Sequence, residues 1–118
     1  MIQSHKDLTV CQRSIELVVE TYTITNQLPK SEEYGLSSQM RRAAVAVPSN
    51  IAEGYRRKGL REYLQFLYIA NASASELETQ LIIAKKIYEN VNYLKVESLL
   101  NEVLKMLTVM ICKLNAKR

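Results

Sequence analysis

The scarcity of chain breakers constrains this chain more than any other feature. Three glycines and two prolines punctuate 118 residues. A β-sandwich or a doubly wound α/β domain needs far more turn residues. What remains is a few long helices joined by short connections. Leu, Ile, Val and Phe supply 34 of the residues, well above the disordered range. A chain of this length makes a single domain, 1–118, and buries roughly 65% of its unfolded surface without disulfides or metals.

Apolar periodicity predicts four helices, over about 8–27, 37–56, 60–90 and 94–116. On the first, Cys11, Ser14, Ile15, Val18, Tyr22 and Thr25 form one stripe, opposite Gln12, Arg13, Glu16, Glu20, Thr23 and Gln27. Asp7 is its expected N-cap and Pro29 its stop. Ser31-Glu32-Glu33 suits a short helical turn, broken by Gly35. The second helix carries Leu36, Met40, Ala43, Ala44, Val47 and Ile51, with Pro48 as an internal kink. Gly54 to Gly59 reads as the next connection or a weak point. The third carries two seven-residue columns: Leu60, Leu67, Ala74, Leu81, Tyr88 and Tyr63, Ala70, Leu77, Ala84, Val91. Their offset of three is the seam of a left-handed bundle. Asn90-Val91-Asn92 makes the last turn. The fourth helix packs on Val96, Leu100, Val103, Leu107, Met110 and Leu114. The fold class is therefore all-α, an antiparallel up-down-up-down four-helix bundle. A turn centred near Lys58 sets Ala43 and Ala44 level with Ser73 and Ala72, so small residues face each other across helices 2 and 3.

The run Ala43-Ala44-Val45-Ala46-Val47-Pro48 is apolar around the whole helix. A helix apolar all round is buried all round. In a four-helix bundle only another subunit covers the outer side, so Val45, Ala46, Ser49, Ala52 and Glu53 are the expected oligomer interface. A tolerated small-apolar surface is the alternative.

Charge is concentrated. Residues 41–61 hold Arg41, Arg42, Arg56, Arg57, Lys58 and Arg61 against Glu53, whereas the whole chain carries +4. Clustered Arg and Lys are what phosphate neutralisation requires. Tyr55 and Tyr63 lie close enough in sequence to stack on unpaired bases. The six basic residues are therefore the candidate nucleic-acid site. The competing reading is a solvated helix end, with Glu53 and Glu62 pairing Arg56 and Arg61. Glu53 inside an apolar helix needs a partner, and Arg42 or Arg56 shares its face.

Several classes of chemistry have no support. His5 is the only histidine and lies near the N-terminus. No metal-ligand spacing, phosphate loop or nucleophile elbow occurs, so no catalytic residue, metal or cofactor is expected. Cys11 and Cys112 sit 101 residues apart, Cys11 toward the core and Cys112 on the outer face of helix 4. They are expected as two free thiols in a reducing cytoplasm. No apolar run reaches the ~18 residues that span a bilayer, and Met1 to Asp7 has no apolar signal region.

A set of residues in fixed order adds to this reading. Asp7-Leu8 and Gln12 are followed by Gly35-Leu36, Gln39, Arg41-Arg42-Ala43-Ala44, Pro48 and Asn50-Ile51-Ala52-Glu53-Gly54. Then come Glu62, Phe66-Leu67, Ala70, Ser73, Glu76-Leu77 and Gln80-Leu81. Over residues 7–94 this resembles the four-helix-bundle proteins encoded in intervening sequences of bacterial 23S rRNA genes, a ribosomal protein-like family. It is also similar to the accessory variability determinants of diversity-generating retroelements. Cys11 stands where that family usually has Trp, and Ala72 where it usually has Gly. The resemblance implies a ring-like homopentamer and, for the related bundles, association with RNA. A non-enzymatic oligomer that binds RNA is the expected function, and a protein–protein adaptor is the alternative.

Overall fold

The computed structural model describes residues 5–117, with side chains from Thr9 onward. Four helices run α1 (His5–Thr25), α2 (Leu36–Tyr55), α3 (Leu60–Ile87) and α4 (Leu94–Asn115), and no strand occurs among the described residues. One 3-10 turn, Lys30–Glu32, bridges α1 and α2. Each helix packs on its chain neighbours and α1 closes the square against α4, giving the antiparallel bundle. The molecule is a rod of 45 × 23 × 18 Å. One pole holds the α2–α3 turn with the start of α1 and the end of α4. The other holds the α1–α2 and α3–α4 connections.

Both heptad columns of α3 face the core, and so does the stripe predicted for α4. Helix α2 continues through Pro48. The expected register between α2 and α3 holds: Ala43 and Ala46 line one groove with Ser73 and Glu76. Buried Ala43, Ala44, Ala70 and Ala74 keep that seam thin. Close approach continues down to Gly54, which is a buried residue of α2 and not part of a connection. A Cβ there would lie 2.8 Å from Cδ1 of Tyr63 and 3.1 Å from Cβ of Phe66.

Helix α1 is rotated from its predicted face. Its buried residues are Val10, Ser14, Leu17, Thr21, Ile24 and Thr25, followed by Leu28 in the turn after it, whereas Ile15 is 55% and Tyr22 42% exposed. The sequence offers α1 two apolar stripes, and the buried one, with Val10, Leu17 and Ile24, is the more uniformly aliphatic. Its hydroxyls cost little, because each donates to the helix's own carbonyls. Thr21 Oγ1 donates to Leu17 O at 2.7 Å, Thr25 Oγ1 to Thr21 O at 2.9 Å and Ser14 Oγ to Cys11 O at 2.9 Å. Helix α1 also starts at His5, so Asp7 lies inside it and not at its cap.

The ends far from the α2–α3 turn are tied by side chains. Glu32 accepts the Leu36 N–H at 3.2 Å at the start of α2, and the Tyr88 hydroxyl donates to the same carboxylate. Tyr93 Oη donates to Tyr88 O at 2.8 Å, closing α3 three residues earlier than the periodicity predicts.

Candidate nucleic-acid interface

The six predicted basic residues do not form one cluster. Arg41 and Arg42 lie near the start of α2, about 20 Å up the helix from Arg56 at 1.5 Å per residue. Arg41 serves the bundle. Its Nε donates to Thr25 Oγ1 at 2.8 Å and its Nη2 to Asn26 Oδ1 at 2.9 Å. Its guanidinium carbon also stands 4.8 Å from the centre of the Tyr22 ring. It ties the end of α1 to α2. Arg42 is exposed on the outer side of α2.

The other four gather at the α2–α3 turn. Helix α2 ends where the Arg56 and Arg57 N–H groups close onto Glu53 O and Gly54 O. Gly59 then starts α3 from extended backbone. Arg56, Lys58 and Arg61 are exposed, and no ion pair among the described residues engages them. Arg57 differs. Its Nη2 meets Glu53 Oε2 at 2.7 Å, and its guanidinium carbon lies 5.0 Å from the Phe66 ring centre. Glu53 is thus paired by Arg57, one turn on, and not by Arg42 or Arg56. Both partners are about 40% exposed, so the bridge contributes under about 1 kcal/mol and a phosphate can displace it.

Lys113 and Lys117 at the end of α4 join this pole, and the sequence pattern had not singled them out. Helix α4 is anchored there by Asn115 Nδ2, which donates to Tyr68 Oη at 2.8 Å. The signal was available, because an antiparallel fourth helix must return to the level of the α2–α3 turn. The pole thus carries Arg56, Arg57, Lys58, Arg61, Lys113 and Lys117 against Glu53 and Glu62. The opposite pole is balanced, with Lys30, Lys85, Lys86 and Lys95 against Glu32, Glu33, Glu89 and Glu97. Cations at the C-terminal ends of α2 and α4 also complement those helix dipoles.

The aromatic part of the expected site is corrected. Tyr63 is 2% exposed, and Tyr55 is half-buried with its ring centre 5.7 Å from that of Tyr63. They pack on each other, and Tyr63 offers no face to a base. The exposed aromatic on this side is Tyr68, two turns along α3 from Arg61. The exposed side chains of the α2–α3 turn are therefore charged and not aromatic.

On the single chain, Val45, Ser49 and Ala52 are exposed and Ala46 and Glu53 half-buried. Cys11 is half-buried, Cys112 is exposed, and neither forms a disulfide. A depression of about 560 Å³ lies at the balanced pole, where Lys85 is held by Glu97 at 3.0 Å. Among the described residues no group of His, Cys, Asp and Glu could hold a metal, and no helix is long and apolar enough to cross a membrane.

The profile of the family described as 23S rRNA-intervening sequence protein matches residues 6–109. In structure the chain is similar to a protein of unknown function from the S23 ribosomal protein family of Bacteroides thetaiotaomicron. The two share 24% identity with a TM-score of 0.78, over 90% of this chain and 97% of the other. No curated protein matches the sequence.

Proposed function

Since the chain belongs to the 23S rRNA-intervening sequence protein family, we propose that it is a non-enzymatic homo-oligomer that binds RNA or another nucleic acid through its basic pole. The observation that carries this reading is the convergence of three chain segments, the end of α2, the start of α3 and the end of α4, on one cationic pole opposite a balanced one. Six cations against two acids focus a field on a polyanion, and an oligomer multiplies it. A pentameric ring, the form implied by the resemblance, sets five such poles together. The outer face of α2 (Val45, Ala46, Ser49, Ala52 and Glu53) supplies the self-association surface. The two cysteines suit the reducing cytoplasm. The exposed α1 side chains Ile15, Val19 and Tyr22 favour a second reading, an adaptor that docks another protein.

An anisotropy titration against single-stranded and structured RNA separates the two. Phosphate binding weakens by orders of magnitude between about 50 and 200 mM salt when six or more phosphates are engaged, whereas apolar docking does not. Replacing Arg56, Arg57 and Lys58 by Gln weakens binding and flattens the salt slope with the oligomer intact. No binding at about 50 mM salt and micromolar protein leaves the adaptor.

A further inference from the structure

Two charged ladders of opposite sign stand side by side on the α2–α3 face. Arg42 and Arg56 are exposed on α2 at a spacing of 14 residues, with Ser49 midway. Glu62 and Glu76 are exposed on α3 at the same spacing, with Ile69 midway and 45% exposed. Fourteen residues span about 21 Å on either helix. The heights match as well. Arg42 and Glu76 border one groove, and Gly54 beside Tyr63 sets Arg56 level with Glu62. Yet no ion pair among the described residues engages any of these four groups.

We propose that this face is a docking surface for a second copy of the chain. The α2 of one copy lies on the α3 of the next, with Arg42 opposite Glu76 and Arg56 opposite Glu62 of the second copy. Ser49 and the small side chains beside it meet Ile69 between the two charge pairs. The pattern selects an orientation. An axis along the bundle keeps the heights and brings unlike charges together. A twofold axis across the bundle sets α2 on α2, with Arg42 facing Arg56, and like charges opposed across an interface disfavour that arrangement. Copies related by an axis along the bundle share one direction, so every basic pole emerges on the same side. Seven-residue spacing on both stripes suits the shallow crossing of a left-handed seam. The inference rests on the self-association reading and gives it a partner surface, a register and a polarity.

Two chains test it, one with Arg42→Glu and Arg56→Glu, the other with Glu62→Arg and Glu76→Arg. All four positions are exposed, and thermal melting by circular dichroism checks each fold. Sedimentation velocity at micromolar concentration is expected to show the natural chain assembled and each reversed chain monomeric. An equimolar mixture is expected to re-form a complex containing both. Pairing within one chain, or damage to the fold, gives no rescue on mixing. Assembly of either reversed chain like the natural one overturns the inference, and so does a folded pair that stays monomeric when mixed. If a reversed chain unfolds, Arg42→Gln with Arg56→Gln replaces it, with self-association expected to weaken at least tenfold. No change there overturns the proposal. A natural chain that is itself monomeric removes the self-association reading and this inference together. A natural chain that assembles but ignores the reversals removes this inference alone.

Discussion

At the scale of single residues, two of the three glycines do opposite things. Gly54 is the place where α2 and α3 come too close for a side chain. Gly54→Ala gains about 1 kcal/mol of helix propensity but drives a methyl into the Tyr63 ring, at a cost of about 1–3 kcal/mol. The expected net result is a lower denaturation midpoint in urea. A Cβ added at Gly59 would meet nothing within 4 Å, and the glycine provides no side-chain cap for α3. Gly59→Ser supplies that cap and is expected to raise stability by roughly a few tenths of a kcal/mol, the usual difference between Ser and Gly at such a site. A second pair of residues ties the molecule to pH. The hydrogen bond from Tyr88, then the one from the Leu36 N–H, holds the Glu32 carboxyl below its ordinary value. The same contact, burial and the neighbouring charge raise the Tyr88 phenol. A lowered carboxylate contributes stability above its unfolded value of about 4.3 and loses it as pH falls through the folded value. A raised phenol contributes below about 10 and loses it as pH climbs through its folded value. The clasp is thus intact between the two limits. In Tyr88→Phe, the acid-side loss of melting temperature is expected to shrink. An unchanged acid profile rejects the clasp.

At the scale of elements, α1 shows how two periodicities compete on one helix. Val10, Leu17 and Ile24 recur at seven-residue steps, while Cys11, Ile15, Val18 and Tyr22 recur at four- and three-residue steps. Each is a valid stripe by spacing. Ser14 and Thr25 border both stripes and are buried either way, and Thr21 joins them in the core because a threonine that bonds its own helix is tolerated there. The rotation has a direct test. Leu17→Ala is expected to cost about 2–5 kcal/mol, while Ile15→Ala, on the exposed side, stays within about 0.5 kcal/mol. The predicted face demands the reverse order, and chemical denaturation of the two variants decides between them. The prolines mark a different kind of boundary. Pro29 stands in the connection after α1, whereas α2 passes through Pro48, because the packed helix on both sides of it offsets the one lost hydrogen bond.

At the scale of the molecule, the two ends of the rod differ in charge. The basic pole collects cations from residues 56–61 and 113–117, and Arg41 stands apart as a joint between α1 and α2. These roles separate by mutation. Arg41→Gln is expected to lower the melting temperature by several degrees, through two lost hydrogen bonds and the Tyr22 stack, with little change in RNA affinity at fixed salt. Lys58→Gln with Lys117→Gln is expected to leave the melt nearly unchanged and weaken RNA binding several-fold at about 50 mM salt. RNA binding that follows Arg41 and ignores the lysines rejects the pole as the binding surface.

Short-range physics along the chain was legible before any fold was known. The scarcity of glycine and proline required long helices, the seven-residue columns of α3 set the bundle seam, and the turn near Lys58 set the register of α2 on α3. All three follow from spacing. Other features depended on which groups meet across the fold. The choice between the two stripes of α1 depended on the shape of the core. The pairing of Glu53 with Arg57, the burial of Tyr63 and the separation of Arg41 from the other arginines depended on where neighbouring helices lay. The arrival of Lys113 and Lys117 at the same end of the rod as Arg56 depended on the path of α4. Periodicity describes one helix at a time, whereas burial and charge are summed over every helix that shares a surface.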